Sequence, residues 1–462
     1  MSAKQYSTSL DVNPGTISIP ELRAAFNGSL IAPGDPGYDQ ARTVFFGGID
    51  RWPAAIIRVA DATDVSRVVS LARETGLDLA VRSGGHSYAG HSVAQGGIVL
   101  DLSNMRDLQI DVERRTAWVE TGMTAGEYTT AVNAYGLATG FGDTGSVGIG
   151  GITLGGGIGY LVRKHGLTID NLLAAEVVTA DGQLLCVDAG SHPDLFWAIR
   201  GGGGNFGVAT RFLFRLHEVD TILGGVLVLP ATPNVIARFV VEAEAAPEEL
   251  STIVNIMRAE PHGQFTVEAL MVYAGEVEEG QRVIAPFRAL ATPLVDKVRP
   301  RQYPDMVPSI PGDVHPMEAM HTMFIDTIDH SMAEMILNYL RSSTASTAVV
   351  QLRVLGGAMS RVPPDATAFA HRGSRIMVGI VAPYKHPDEK AHREAWVTNF
   401  GAALRQSDSG AYVNFLGEEG QARIRAAYPG PTWDRLTSIK AHYDPTNLFR
   451  LNQNIPPNKA RL

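Results

Sequence analysis

Twenty-six of the 48 glycines in this 462-residue chain fall between Gly84 and Gly207, a window of 124 residues. Glycine weakens the interiors of helices and strands alike, so this window must consist of short elements joined by loops whose backbone approaches something closely. Three loops carry the excess: Ser83-Gly84-Gly85-His86-Ser87, the stretch 142–159 (GDTGSVGIGGITLGGGIG), and Gly201–Gly207 (GGGGNFG). Nine glycines occupy the eighteen middle positions, more than turns alone require. Bare backbone of this kind lets N–H groups reach phosphate oxygens, which points to a bulky planar or anionic ligand. Two G-x-G-x-x-G matches, at 140–145 and 202–207, are not dinucleotide fingerprints of the doubly wound kind. That motif follows a strand and opens a helix whose N-terminus holds the pyrophosphate. Here the second match follows a helix and precedes a strand, and the first runs into more loop.

The remaining composition narrows the class. With 45% hydrophobic and 19% charged residues the chain is globular, and its length allows about two to three domains. A net charge of −9 without blocks of like charge argues against nucleic acid or membrane as partner. No stretch approaches the ~18 apolar residues of a bilayer span. The opening MSAKQYSTSLDVNPGT lacks the charged-then-apolar order of a signal peptide, so a cytoplasmic protein is expected. A single cysteine, Cys186, excludes an internal disulfide framework and any multi-thiolate metal site. Within QLLCVDA it reads as a buried strand residue. His86 and His91 share the loop SGGHSYAGHS without a third ligand nearby, so no metal site is expected. On spacing alone each is a hydrogen-bonding loop residue.

Along the glycine-rich window, strands are expected at 54–60, 77–81, 97–102, 116–120, 174–179, 184–187 and 208–216. Helices are expected at 61–76, with Val65, Val68, Val69 and Ala72 on one face, at 124–135, and at 193–200. Asp61 or Thr63 can cap the first helix and Gly76 can end it; Asp181-Gly182 makes a hairpin turn. After about residue 220 the texture changes. Strands at 222–229, 251–257, 266–273, 347–355 and 374–381 alternate with long helices at 232–245, 276–290, 330–342 and 387–405, which suggests an antiparallel sheet covered by helices. In the strand TAVVQLRVL, Gln351 and Arg353 share one face and Val350, Leu352 and Val354 the other. The polar pair faces either a ligand or solvent.

Four long motifs resemble those of the berberine-bridge-enzyme-like FAD-linked oxidases, of the vanillyl-alcohol-oxidase, PCMH-type FAD-binding superfamily. They are VRSGGHSYAGHSVAQGGIVLDLSNM, GSVGIGGITLGGGIGYLVRKHGLTIDNL, DLFWAIRGGGGNFGVAT and YDPTNLFRLNQNIPP, spread in order over nearly the whole chain. The resemblance implies an α+β fold: a two-subdomain FAD-binding domain over 1–219 (core about 50–219), a substrate domain over 220–417 with an antiparallel sheet covered by helices, and a segment 418–462 returning to the first.

It also implies a site. The His of R-S-G-G-H bonds covalently to the flavin 8α-methyl in this family, and His86 holds that position; a neutral imidazole is a competent nucleophile. Many relatives carry a second bond from a cysteine, where this chain has Thr144, so FAD singly linked through His86 is expected. The implied cofactor-binding set is Arg82, Ser83, Gly84, Gly85, Ser87, Thr144, Val147, Gly148, Gly151, Gly155, Gly157, Gly207, Val208, Asn414 and Asn454. In plant relatives the position of Val147 gates dioxygen, and a small Val admits it. The family segment Y-x-N-Y appears as Tyr412-Val413-Asn414-Phe415, which leaves Tyr412 as the expected base, its phenol needing a lowered pKa. Gln351 and Arg353 are the other expected catalytic residues, Arg353 facing an anionic reduced flavin or a phenolate; His321 is a lesser candidate. The implied reaction is oxidation of a small-molecule alcohol (sugar, benzylic, allylic or secondary-metabolite hydroxyl), with dioxygen reduced to hydrogen peroxide. The alternatives are an amine oxidase of the 6-hydroxynicotine-oxidase type and a dehydrogenase with another acceptor. A nucleotide-binding protein without activity is disfavoured by His86 and Tyr412 standing together.

Overall fold

The computed structural model describes residues 18–219, 221–259 and 263–458. The opening MSAKQYSTSLDVNPGT and the outer limits of the expected domains, residues 1 and 462, lie outside the described residues.

The helix Ala62–Thr75 shows how local chemistry sets the first layer. Asp61 caps it by accepting from the Asp64 N–H, and Gly76 ends it at φ +73°, a left-handed conformation that favours glycine. Its apolar face, Val65, Val68, Val69 and Ala72, is fully buried, each Val contributing ~1.5–3 kcal/mol of transfer energy. It packs on a four-stranded sheet in the order Ser29–Ile31, Ala55–Arg58, Ile98–Asp101, Leu79–Arg82. Ile98–Asp101 runs parallel to both neighbours, and the helix is the crossover that parallel pairing demands. A second sheet is antiparallel and five-stranded, in the order Leu108–Asp111, Thr116–Glu120, Val208–Arg215, Leu172–Val178, Leu184–Asp188. The hairpin expected about Asp181-Gly182 joins the last two, with Gly182 at φ +85°.

The later part of the chain forms an eight-stranded antiparallel sheet. Its path is Val295–Asp296, Thr221–Pro230, Phe265–Tyr273, Leu250–Arg258, Val349–Val354, Ile376–Pro383, Glu318–Ile325, with Arg299–Gln302 also on Thr221–Pro230. Four helices, Pro233–Ala245, Val277–Arg288, His330–Ser342 and Lys390–Leu404, supply side chains to the core on one face of it. Glu318–Ile325 was not among the expected strands. Both its faces are covered, so the sequence EAMHTMFI shows no apolar–polar alternation.

The chain then returns. Helix Gln421–Ala427 joins the core of the five-stranded sheet through Ile424 and Ala427, and helix Pro431–Tyr443 through Trp433, Leu436 and Ile439. Lys440 and Asp444 form an ion pair with both side chains wholly buried. Lys440 Nζ also donates to the carbonyls of Asn205 (2.7 Å) and Phe449 (3.3 Å), tying the third glycine loop to the tail. Cys186 lies in a strand as expected but on its exposed side, because that strand is the outer edge of the sheet and only its other face packs.

No helix among the described residues is long and apolar enough to cross a membrane.

Candidate active site

The three glycine loops and the tail converge on a cavity of about 500 Å³, closed on its far side by the eight-stranded sheet. The first two loops interlock by backbone. A Cβ on Gly84 would stand 2.2 Å from the Gly148 N, and one on Gly148 would stand 2.1 Å from Ser83 Oγ. Ser83 Oγ ties them further, donating to the Thr121 carbonyl (2.6 Å) and accepting from the Gly150 N–H (3.3 Å). At Gly151, by contrast, a Cβ would meet nothing within 4 Å. Gly151 lines the cavity.

His86 stands in the wall with its ring stacked on Phe45, centroids 4.0 Å apart and planes 18° apart. Burial lowers its pKa to about 4, opposed by the Ser146 backbone. A contact that favours the protonated ring is that of a carbonyl accepting a ring N–H. The imidazole is therefore neutral at pH 7. His91 also lines the cavity and is lowered to about 4, by burial first and then by Arg51.

Tyr412 is buried, and its hydroxyl accepts from the Gly157 N–H and from Asn414 Nδ2, each at 2.9 Å. These donors favour the phenolate, but burial outweighs them and the pKa is raised. Among this chain's own groups, none lowers the Tyr412 pKa enough to outweigh burial. Phe415 packs edge-on against Tyr412 (5.2 Å) and Tyr88 (5.9 Å).

The polar face of Val349–Val354 looks into the cavity, while Val350, Leu352 and Val354 join the sheet–helix core. Arg353 makes four hydrogen bonds there. It pairs with Asp143 (2.7 Å), donates to the Ile158 carbonyl (3.0 Å) and holds Gln351 Oε1 (2.8 Å). Gln351 in turn donates to Asn255 Oδ1 (3.1 Å). The Arg353 guanidinium is thus paired with Asp143 at the cavity wall.

Of the expected cofactor-binding residues, Ser83, Gly84, Gly85, His86, Ser87, Thr144, Val147, Gly148, Gly151, Gly207, Val208 and Asn414 line the cavity. Arg82, Gly155, Gly157 and Asn454 stand behind its surface. Arg82 donates Nε to the Ser92 carbonyl (3.1 Å) and Nη1 to the Ala41 carbonyl, while its Nη2 is buried with no partner among the described residues. Gly155 abuts Asn414, Gly157 serves Tyr412, and Asn454 has its carbonyl on Gln421 (3.4 Å). His321 points away from the cavity, into the helix-covered side. There its Nδ1 meets Glu419 (3.2 Å), and a Cβ on Gly401 of the helix Lys390–Leu404 would touch its ring. Sequence reasoning did not single out Tyr88, Asp143 or Glu318, all three in the wall. Tyr88 and Asp143 lay inside quoted motifs, whereas Glu318 lay on the unforeseen strand.

The site fits a flavin dinucleotide. It offers backbone without side chains, a neutral imidazole in the wall, and Ser92 Oγ, a lining hydroxyl buried with no partner among the described residues. The fold and the site define a flavin-dependent oxidoreductase. Comparison with known proteins fixes the family. A model described as FAD binding domain matches residues 53–188, and one described as berberine and berberine like matches 411–456. FAD-linked oxidoreductase YvdP of Bacillus subtilis is 32% identical over 445 residues, covering 94% of this chain and 98% of that one. (R)-6-hydroxynicotine oxidase of Paenarthrobacter nicotinovorans is 30% identical over 457 residues, covering 94% and 97%. The solved structure of 6-hydroxy-D-nicotine oxidase from Arthrobacter nicotinovorans superposes with a TM-score of 0.86 at 28% identity, covering 94% and 98%. The chain belongs to the berberine-bridge-enzyme-like FAD-linked oxidoreductases.

Proposed function

We propose that this enzyme is an oxidase holding FAD through a single covalent bond to His86 and oxidising a small alcohol at the cavity between glycine loops and sheet. The observation that carries the reading is the neutral, stacked His86 ring in the wall, in a cavity lined by Thr144 and by no thiol among the described residues. Cys186, in an exposed edge strand, offers no second attachment. Held there by His86 and the glycine loops, FAD would supply a hydride acceptor for the substrate carbon and a route for the electrons to dioxygen, with hydrogen peroxide as the product.

The chain's own residues do the rest. Residues 1–219 with 418–462 hold the dinucleotide, and 220–417 supply the face that meets substrate. Ser83, Gly84 and Gly148 fix the two loops against each other, and Gly151, where a Cβ would meet nothing, keeps a surface free of bulk. Val147, small and in the wall, leaves room for dioxygen. Phe46, Tyr88 and Phe415 give the substrate an apolar, aromatic surround that excludes water. Tyr412, with both lone pairs occupied by N–H donors, has its O–H left to donate to a substrate oxygen. The Arg353–Asp143 pair braces the loop that carries Thr144.

A second reading, oxidation of an amine, is favoured by the uncompensated carboxylate of Glu318 in the wall; a relative of comparable length is itself a 6-hydroxynicotine oxidase.

Purified protein is expected to be yellow, with fluorescence that stays on the polypeptide through acid precipitation and denaturing electrophoresis. His86→Ala is expected to release the flavin. Flavin lost from the wild type on denaturation would sink the covalent assignment. A peroxide-coupled panel of sugars, benzylic alcohols and cyclic amines then separates the two substrate readings.

A further inference from the structure

Two carboxylates line the cavity, Asp143 and Glu318, and they differ in what surrounds them. Asp143 is neutralised by Arg353 at 2.7 Å. Glu318 begins the strand Glu318–Ile325, in which Ala319, Met323 and Ile325 join the sheet–helix core while Glu318 and Met320 face the cavity. Among the described residues the only group that favours its charge is the Tyr88 hydroxyl. Tyr88 lies two residues after His86 and is held by Phe46, at 4.3 Å between centroids, and by Phe415. That packing holds the ring, and the hydroxyl acts on the Glu318 carboxylate as its side-chain hydrogen-bond partner. Tyr384 stands near Glu318 on the strand side. Asp143 and Arg353 face Tyr88 and oppose each other in their effect on it.

We propose that Glu318 is the group that takes up the substrate's proton in this cavity, and that Tyr88 is the positioning residue that holds its carboxylate. The proposal rests on reading the cavity as an oxidase site. It divides the work between the two walls. Tyr412 has spent its lone pairs on Gly157 and Asn414 and can only donate, whereas Glu318 has lone pairs free to accept. Burial raises the Glu318 pKa, which brings its basicity closer to the neutral range where proton transfer is most efficient. As the substrate O–H bond breaks, its proton passes to a carboxylate oxygen and the electron pair left behind closes the C=O bond. The C–H bond breaks with its pair, and hydrogen leaves as hydride to the oxidant that bound FAD supplies. Glu318 then returns its proton to water. An ammonium substrate loses its N–H proton to the same oxygen, and C=N forms instead.

The test uses the holoenzyme and two aromatic probes, benzylammonium and benzoate, followed by perturbation of the flavin absorbance. Wild type is expected to prefer the cation. Glu318→Gln keeps the shape but not the charge, and is expected to weaken benzylammonium by at least ~10-fold, as loss of a desolvated ionic hydrogen bond does. Tyr88→Phe is expected to retain the preference but to move the onset of benzylammonium binding to higher pH, because the ionised carboxylate loses its donor. That shift is one a merely structural tyrosine does not produce. Once the peroxide panel supplies a substrate, Glu318→Gln is expected to lower kcat ~10²–10⁴-fold with KM little changed. Equal benzylammonium affinity in wild type and Glu318→Gln overturns the proposal, as does a wild type that binds no cation. Where Glu318→Gln fails to fold, Glu318→Asp serves, and equal affinity for the two probes there overturns it. Failure of the oxidase reading shows separately, as absence of peroxide from every substrate in the panel while the probes still distinguish Glu318→Gln.

Discussion

Gly84 and Gly148 meet backbone to backbone with no room for a Cβ, while across the cavity Gln351, Arg353 and Glu318 reach inward with whole side chains. The first wall is defined by what its residues lack. Its shape depends on backbone paths that any side chain would force apart. The second wall is a regular antiparallel ladder whose alternation sends one set of residues to the helices and the other to the cavity. Substitution there changes chemistry while the ladder stays. The two halves of one site thus answer to different parts of the chain's physics. One is steric and intolerant, the other electrostatic and tunable.

Substitutions on either side of the cavity test how deep that division runs. Lys440 braces the third glycine loop, and Lys440→Met leaves Asp444 buried without its cation. The expected loss is ~3–5 kcal/mol of unfolding free energy, read by urea denaturation; a loss below ~1 kcal/mol would mean that the loop stands without its brace. Gly84→Ala is next, at about 3 kcal/mol from overpacking, whereas Gly151→Ala, facing open space, is expected to stay within ~0.5 kcal/mol. If the two alanines behave alike, the steric account of the first wall is wrong.

Tyr412→Phe removes the acceptor of the Gly157 N–H and the Asn414 amide. It is expected to cost ~1–3 kcal/mol, measurable by thermal melting, with the fold and the flavin retained. A smaller, pH-dependent effect comes from His165 and His217, stacked at 3.9 Å and held by burial at about 3 and about 4. Folded, they stay neutral; unfolded, they protonate near ~6.5. Their contribution is therefore intact above pH ~6.5 and is lost as pH falls towards 4. His217→Gln is expected to flatten that fall in a pH series of urea midpoints. Least of all, Cys186→Ser is expected to change stability by less than ~0.5 kcal/mol, since the thiol is exposed.

Much of the fold could be read from residue order. Asp61, Val65 to Ala72 and Gly76 specify one helix through cap, stripe and stop, all of them local interactions. The same is true of the Asp181-Gly182 hairpin. The strand Glu318–Ile325 could not be read, because burial on both faces erases the alternation that marks a strand. Arg299–Gln302 carries a proline and pairs only at the edge, so it too gave no signal.

Residue order alone was enough to establish that glycine-rich loops carry the site, that His86 stands among them, and that Gln351 and Arg353 share a face. These follow from spacing and from side-chain alternation, which a chain carries wherever it folds. It took the packed molecule to show that Arg353 pairs with Asp143, that Tyr412 accepts from Gly157 and Asn414 while burial raises its pKa, that His321 faces the helices, and that Glu318 stands in the wall with no cation beside it among the described residues. Charge and protonation depend on which groups come within a few ångströms and on how much water is excluded, and those neighbours come from segments up to 255 residues apart, as Gly157 and Tyr412 show.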